Sequence, residues 1–201
     1  MKVLSVTNTK GGTGKSTISL ILCTCLAAEK KKILLLDCDI QSTSFEMYQL
    51  EESPLFEVRK SDVSKLEREL IKAEKDGFDI VFLDFARFTE ENTEMLSFLS
   101  ICDLVLIPTL GGIIEILSVQ KFVKFLKASN VSHSIFLNKY RGLKEDKETL
   151  SILSEQTEVF KSHVQDLKLF KDVNLSSSIL STKEGQKRFK LFYDEFKILL
   201  S

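Results

Sequence analysis

Thr9-Lys10-Gly11-Gly12-Thr13-Gly14-Lys15-Ser16-Thr17 decides the reading of this chain. The apolar run Lys2–Thr7 precedes it, and a helix-period stretch over Ser16–Glu29 opens at its end. Strand, glycine-rich turn and helix in that order make a phosphate cradle. The glycines let successive backbone N–H groups turn inward toward phosphate oxygens, and the helix adds the positive end of its dipole. In such a loop Lys15 reaches the β- and γ-phosphates as a point charge, and the Ser16 hydroxyl coordinates Mg²⁺. The common spacing G-x-x-x-x-G-K-[ST] requires glycine at position 9. This chain has Thr9 there, and a second lysine, Lys10, beside it. An extra cation at that place neutralises charge developing on a γ-phosphate.

Outward from the loop, short apolar runs alternate with helix-period stretches. The runs Ile33–Leu36, Phe78–Leu83, Leu104–Ile107 and Ser134–Leu137 lack polar alternation, as strands buried on both faces of a parallel sheet do. Helices are expected over Ser61–Lys75, Glu90–Leu99, Ile113–Ala128, Lys144–Glu158 and roughly Thr182–Leu200. The alternation predicts an α/β fold: one domain over residues 1–201, a mostly parallel twisted sheet with helices on both faces. In the last helix Phe189, Phe192, Phe196 and Leu199 share one face, expected to pack on the domain. The alternative is a membrane-surface helix, with Lys187, Arg188 and Lys190 flanking the stripe, but Asp194 and Glu195 interrupt that charge.

Composition narrows the classes. The chain has 201 residues, 43% hydrophobic and 28% charged, with 8 Gly and 2 Pro, which excludes long low-complexity tracts. No apolar run reaches the ~18 residues that span a bilayer. The start, from Met1 to Val6, lacks a signal peptide's apolar stretch, so a cytoplasmic location is expected. Lys and Arg total 28 against 29 Asp and Glu, so net charge alone does not mark a nucleic-acid binder. Cys23, Cys25, Cys38 and Cys102 form no C-x-x-C pair and read as buried thiols.

The next strand closes on Asp37-Cys38-Asp39-Ile40-Gln41, and carboxylates at the C-terminal end of a parallel strand face the ligand crevice. A further run, Phe78-Asp79-Ile80-Val81-Phe82-Leu83-Asp84, ends in another acid. Together with the two-lysine loop these segments resemble the ParA/MinD class of P-loop ATPases, with its deviant Walker A motif. Motif order and spacing fit over nearly the whole chain, most like the short, ParF-like partition proteins.

The resemblance implies the following. Gly11, Gly12, Thr13, Gly14, Lys15, Ser16 and Thr17 bind ATP. Lys10 reaches across a dimer interface to the nucleotide on the other subunit. Lys10, Lys15 and Asp39 are catalytic, Asp39 by positioning the attacking water. Ser16, Asp39 and Asp84 surround Mg²⁺, and Asn138, in Leu137-Asn138-Lys139, lies near the adenine. Ile40 replaces a usual proline, Arg87 follows Asp84 where small residues are usual and is expected at the surface, and Thr109-Leu110-Gly111-Gly112 replaces a proline-rich turn after Pro108. A basic position common in the class has no match around Val164-Gln165-Asp166-Leu167.

For a partition ATPase the implied partners are a second copy on ATP binding, non-specific DNA, and a ParB-like or ParG-like centromere-binding protein that stimulates slow hydrolysis. The ATP-bound protein would be nucleoid-associated. Lys121, Lys124 and Lys127, opposite Phe122, Phe125 and Leu126, are the candidate DNA face. A MinD-like membrane-associated regulator is the alternative. Kinase and iron-protein relatives fit less well, because Tyr48, Tyr140 and Tyr193 form no cluster and Cys102 stands alone.

Overall fold

The computed structural model describes residues 1–86, 93–166 and 174–201. Six parallel strands form one sheet: β1 (Lys2–Val6), β2 (Ile33–Asp37), β3 (Glu57–Lys60), β4 (Ile80–Asp84), β5 (Leu104–Thr109) and β6 (His133–Leu137). Their spatial order is β3-β2-β4-β1-β5-β6. All five expected apolar runs are strands. The sixth, β3, is a polar edge strand in which only Val58 is fully buried, so it lacks the apolar run that marks the others.

Seven α-helices accompany the strands in the described residues: α1 (Lys15–Ala28), α2 (Thr43–Gln49), α3 (Leu66–Lys75), α4 (Thr93–Ser100), α5 (Ile113–Ala128), α6 (Lys144–Ser154) and α7 (Lys183–Leu200). The expected placements of Arg87 and Leu167, and the start of the helix read from Glu90, lie outside the described residues.

Strand side chains alternate between two cores, as the period of two requires. Leu4, Val6, Phe82 and Leu106 face α1 and α7. Val3, Val81, Leu83, Val105 and Ile107 face α3, α4 and α5. Helix α1 is buried over Ile18–Leu26, which places the phosphate loop at the sheet's C-terminal rim. The stripe of α7 is core: Phe189, Phe192 and Phe196 are at most 1% exposed. The face that could have met a membrane is therefore occupied by the domain itself. Cys23, Cys25 and Cys102 are buried thiols, and Cys38 is half-buried.

After α6 the chain turns back along the free edge of β6. Phe160 N–H donates to Ile135 O (2.8 Å) and Val164 N–H to Leu137 O (2.9 Å). That pairing covers an edge that would otherwise present unpaired backbone groups.

Candidate functional site

Parallel register delivers the chemistry to one rim. β1 runs into the glycine loop, and Asp37 and Asp84 are register partners at the ends of β2 and β4. Helix α1 starts at Lys15 with Gly14 as its N-cap, without a side-chain cap and without an acid in its first turn. Its first N–H groups therefore have no intrahelical partner and no acid of their own turn competing for them. Gly14 has φ of +89°, and a Cβ there would meet Asn138 Nδ2 at 2.3 Å. Both the backbone angle and the close approach demand glycine.

The loop is propped from two neighbouring strands. Asn8 Nδ2 donates to Pro108 O (2.7 Å), and Asn138 Nδ2 donates to Thr13 O (2.7 Å). Lys139, with φ of +54°, donates from Nζ to Gly12 O (2.8 Å). Asn138 Oδ1 accepts from Lys139 N–H (3.0 Å). The side chain expected beside the adenine is here a brace for the loop, with one N–H and one lone pair left over. Lys15 Nζ donates to Lys10 O (3.4 Å), folded over its own loop.

The acids below the loop are buried. Asp84, 1% exposed, accepts from Ser16 Oγ (3.2 Å) and Ser44 Oγ (2.8 Å). Desolvation pushes its carboxyl up to about 6, against the hydroxyl bonds and the Lys15 charge. Asp37 accepts from Asp39 N–H (3.1 Å) and Phe45 N–H (2.9 Å), and burial raises its proton affinity too. Two buried carboxylates with hydroxyls around them form a hard-oxygen set that suits Mg²⁺, and the strain of holding Asp84 charged is what a nearby cation relieves. Asp39 lies just outside, half-exposed, with Oδ1 accepting from Gln41 N–H (3.0 Å). Next to it Ile40 is 94% exposed.

The structure thus brings Ser16, Asp84 and Lys15 together beneath Gly11–Gly14, sets Asp39 at the margin through Asp37, and turns Lys10 away. Lys10 pairs with Glu115 in the first turn of α5. Sequence reasoning missed Glu115, Lys139 and Ser44. An acid in a first helical turn is so common that Glu115 carried no signal of its own. Ser44 sits in a short helix that its sequence does not announce.

A cleft of about 520 Å³ opens beside the loop between α5 and α6, lined by Lys10, Glu115, Glu145, Glu148 and the Gly111-Gly112 turn among others. Glycine at 111 lets α6 approach, because a Cβ there would meet Asp146 Oδ1 at 2.4 Å. Gly112 N–H donates to Thr149 Oγ1 (3.0 Å).

A family model described as the CobQ/CobB/MinD/ParA nucleotide binding domain matches residues 4–185. The sporulation initiation inhibitor protein Soj of Bacillus subtilis is 29% identical over 126 residues, 61% of this chain and 45% of Soj. The alignment therefore spans less than half of that relative. Among solved structures, the MinC:MinD cell division complex of Aquifex aeolicus superposes with a TM-score of 0.77 at 16% identity, covering 100% of this chain and 97% of that one. A candidate plasmid partition protein of Borrelia burgdorferi bound to AMPPNP gives 0.72 at 16% identity, covering 98% of each chain. At such identities the structural likenesses establish the fold.

Proposed function

The chain belongs to the CobQ/CobB/MinD/ParA nucleotide-binding family, and from that premise we propose that it is a partition ATPase. It binds ATP, dimerises around the nucleotide, holds DNA non-specifically and is discharged by a centromere-binding partner of the ParB or ParG kind. The observation that carries the reading is the two-lysine loop at an uncapped helix N-terminus above Ser16 and Asp84. The similarity to Soj supports partition over other uses of the loop.

In this reading the N–H groups of Gly11–Thr17 bind the phosphates, and Lys15 swings from the Lys10 carbonyl to the β- and γ-oxygens. Ser16 and Asp84 would hold Mg²⁺, with Asp39 in its surroundings; bound there, the ion supplies charge neutralisation across the phosphates. Asp39 Oδ2 accepts a hydrogen bond from the attacking water, while Gln41 fixes Oδ1. Asn138 keeps the loop shaped around the nucleotide and offers its remaining amide capacity toward the base. Ile113, Ile114 and Leu117, each more than half exposed beside Lys10, supply apolar surface for a second copy to cover. Lys121 and Lys124 are exposed on α5 as phosphate contacts.

The test is binding of Asp39→Ala protein to random-sequence DNA across a salt series, with ATP or ADP. Binding with ATP alone that weakens as salt rises is expected, with a shallower slope in Lys121→Ala/Lys124→Ala protein. Absence of binding with either nucleotide would overturn the DNA reading. Anionic liposomes would then be the next substrate, despite the buried α7 stripe.

A further inference from the structure

Lys10 is the residue that the dimer reading sends to another subunit, yet in this structure it is engaged within its own chain. Its ammonium pairs with Glu115 Oε1. A second contact repeats the connection three residues along α5, where Thr9 Oγ1 and Ser118 Oγ lie 2.7 Å apart. Residues 115 and 118 share one helix face, so the start of the loop is tied to α5 at two adjacent points. Thr9 stands where the common loop has glycine, and its hydroxyl makes the second tie.

Glu115 is unusual as an ion-pair member. The residue is 5% exposed, its Oε2 is buried without a hydrogen-bond partner, and the side chain lines the cleft beside the loop. A carboxylate in that position gains little from water, so its interaction with Lys10 is less screened than a surface pair. Its place in the first turn of α5 lets the helix dipole support the negative charge when Lys10 leaves.

We propose that Glu115 is a positioning residue that latches Lys10 in cis in the nucleotide-free monomer and so sets the protein concentration at which the ATP dimer forms. The proposal rests on the dimer reading above. A dimer with two-fold symmetry must open two latches, so weakening each one counts twice in the dimerisation constant. With the lysine end 41% exposed and the helix dipole supporting the acid, opening costs the upper end of what a surface pair is worth, about fivefold per latch and hence about 25-fold per dimer.

The test uses full-length Glu115→Gln, which keeps the shape and an acceptor for Lys10 but removes the charge. Sedimentation across a concentration series with AMPPNP should show the dimerisation midpoint of the variant about 25-fold below that of the parent. Lys10→Ala protein, which lacks the cross-subunit contact, should dimerise only at higher concentration, and there the same substitution should leave the midpoint where it is. An unchanged midpoint in the single variant, or an equal shift without Lys10, overturns the latch.

Reactivity of Lys10 toward an amine-directed ester, read by peptide mass spectrometry on nucleotide-free protein, tests the latch independently of dimerisation. It should rise about fivefold in Glu115→Gln, and an unchanged rate refutes the cis pair. If a fluorescent ATP analogue binds but no sample dimerises, the dimer reading has failed, and the labelling rate still decides whether the latch exists.

Discussion

The C-terminal rim of the sheet and the face beneath α7 are a few residues apart in the strands and opposite in chemistry. Beneath α7, Phe136, Phe160, Phe189 and Phe192 pack ring to ring, with Phe192 at 4.7 Å from Phe136, 5.0 Å from Phe160 and 5.2 Å from Phe189 by centroid. None of these four rings carries a charge or a polar atom to satisfy. At the rim, Asp37 and Asp84 are each 1% exposed, a lysine lies folded over its own loop, and glycines replace side chains. One region is built of groups that favour burial. The other buries groups that resist it. The difference separates what holds the fold from what the fold is for: the aromatic face supplies stability, and the nucleotide-binding rim gives some of it up by burying two acids.

Emptying the aromatic face should have the largest effect. Phe192 touches three other rings, so Phe192→Ala leaves a cavity that its neighbours cannot fill without leaving their own contacts. Chemical denaturation should show a loss of about 3–5 kcal/mol, a large part of a typical domain's total. Loss of under about 1 kcal/mol would mean that α7 packs loosely and the contrast is overdrawn. At the rim, Lys15→Ala should do the reverse. It removes one charge-assisted contact to phosphate, weakens ATP binding about 100-fold by fluorescence titration, and leaves the denaturation midpoint within about 0.5 kcal/mol of the parent. Unaltered ATP affinity would remove Lys15 from the site.

The same contrast explains what the sequence let through. Strands buried on both faces announce themselves as apolar runs, so five of the six were legible. β3 was not, because its Glu57, Arg59 and Lys60 look to solvent and to each other: Arg59 Nε bonds Glu57 Oε1 at 2.6 Å. The α7 stripe was legible because three phenylalanines at helical spacing need a core. The loop was legible because phosphate binding constrains residue type and order together. The bracing around it was not. Asn138, Lys139 and Glu115 reach the loop from β6 and α5, more than a hundred residues away in sequence. Only the parallel topology brings them there. Local pattern encodes elements and cradles, while pairing between distant strand ends is decided by register.

The smallest expected effect is also the one that probes the rim's cost most directly. Asp84 is held with its carboxyl raised from the ordinary 3.8 to about 6 by burial. An acid whose proton affinity is higher in the folded chain favours folding below the unfolded value and loses that contribution as pH rises through the folded one. Stability should therefore fall between about pH 4 and pH 6 and level off above, by at most about 3 kcal/mol for a shift of this size. Asp84→Asn removes the titration. Part of the gain is returned, because the new amide must place its N–H₂ where Ser16 and Ser44 now donate. The net expectation is a protein more stable by about 1 kcal/mol at pH 8, less stable by about 2 kcal/mol near pH 4, where the parent's carboxyl is protonated, and without Mg²⁺-dependent turnover. Denaturation curves at the two pH values decide it. A variant less stable than the parent at pH 8 would mean that the Ser16 and Ser44 hydroxyls hold the carboxylate better than burial harms it, and the rim would then belong with the stabilising half of the molecule.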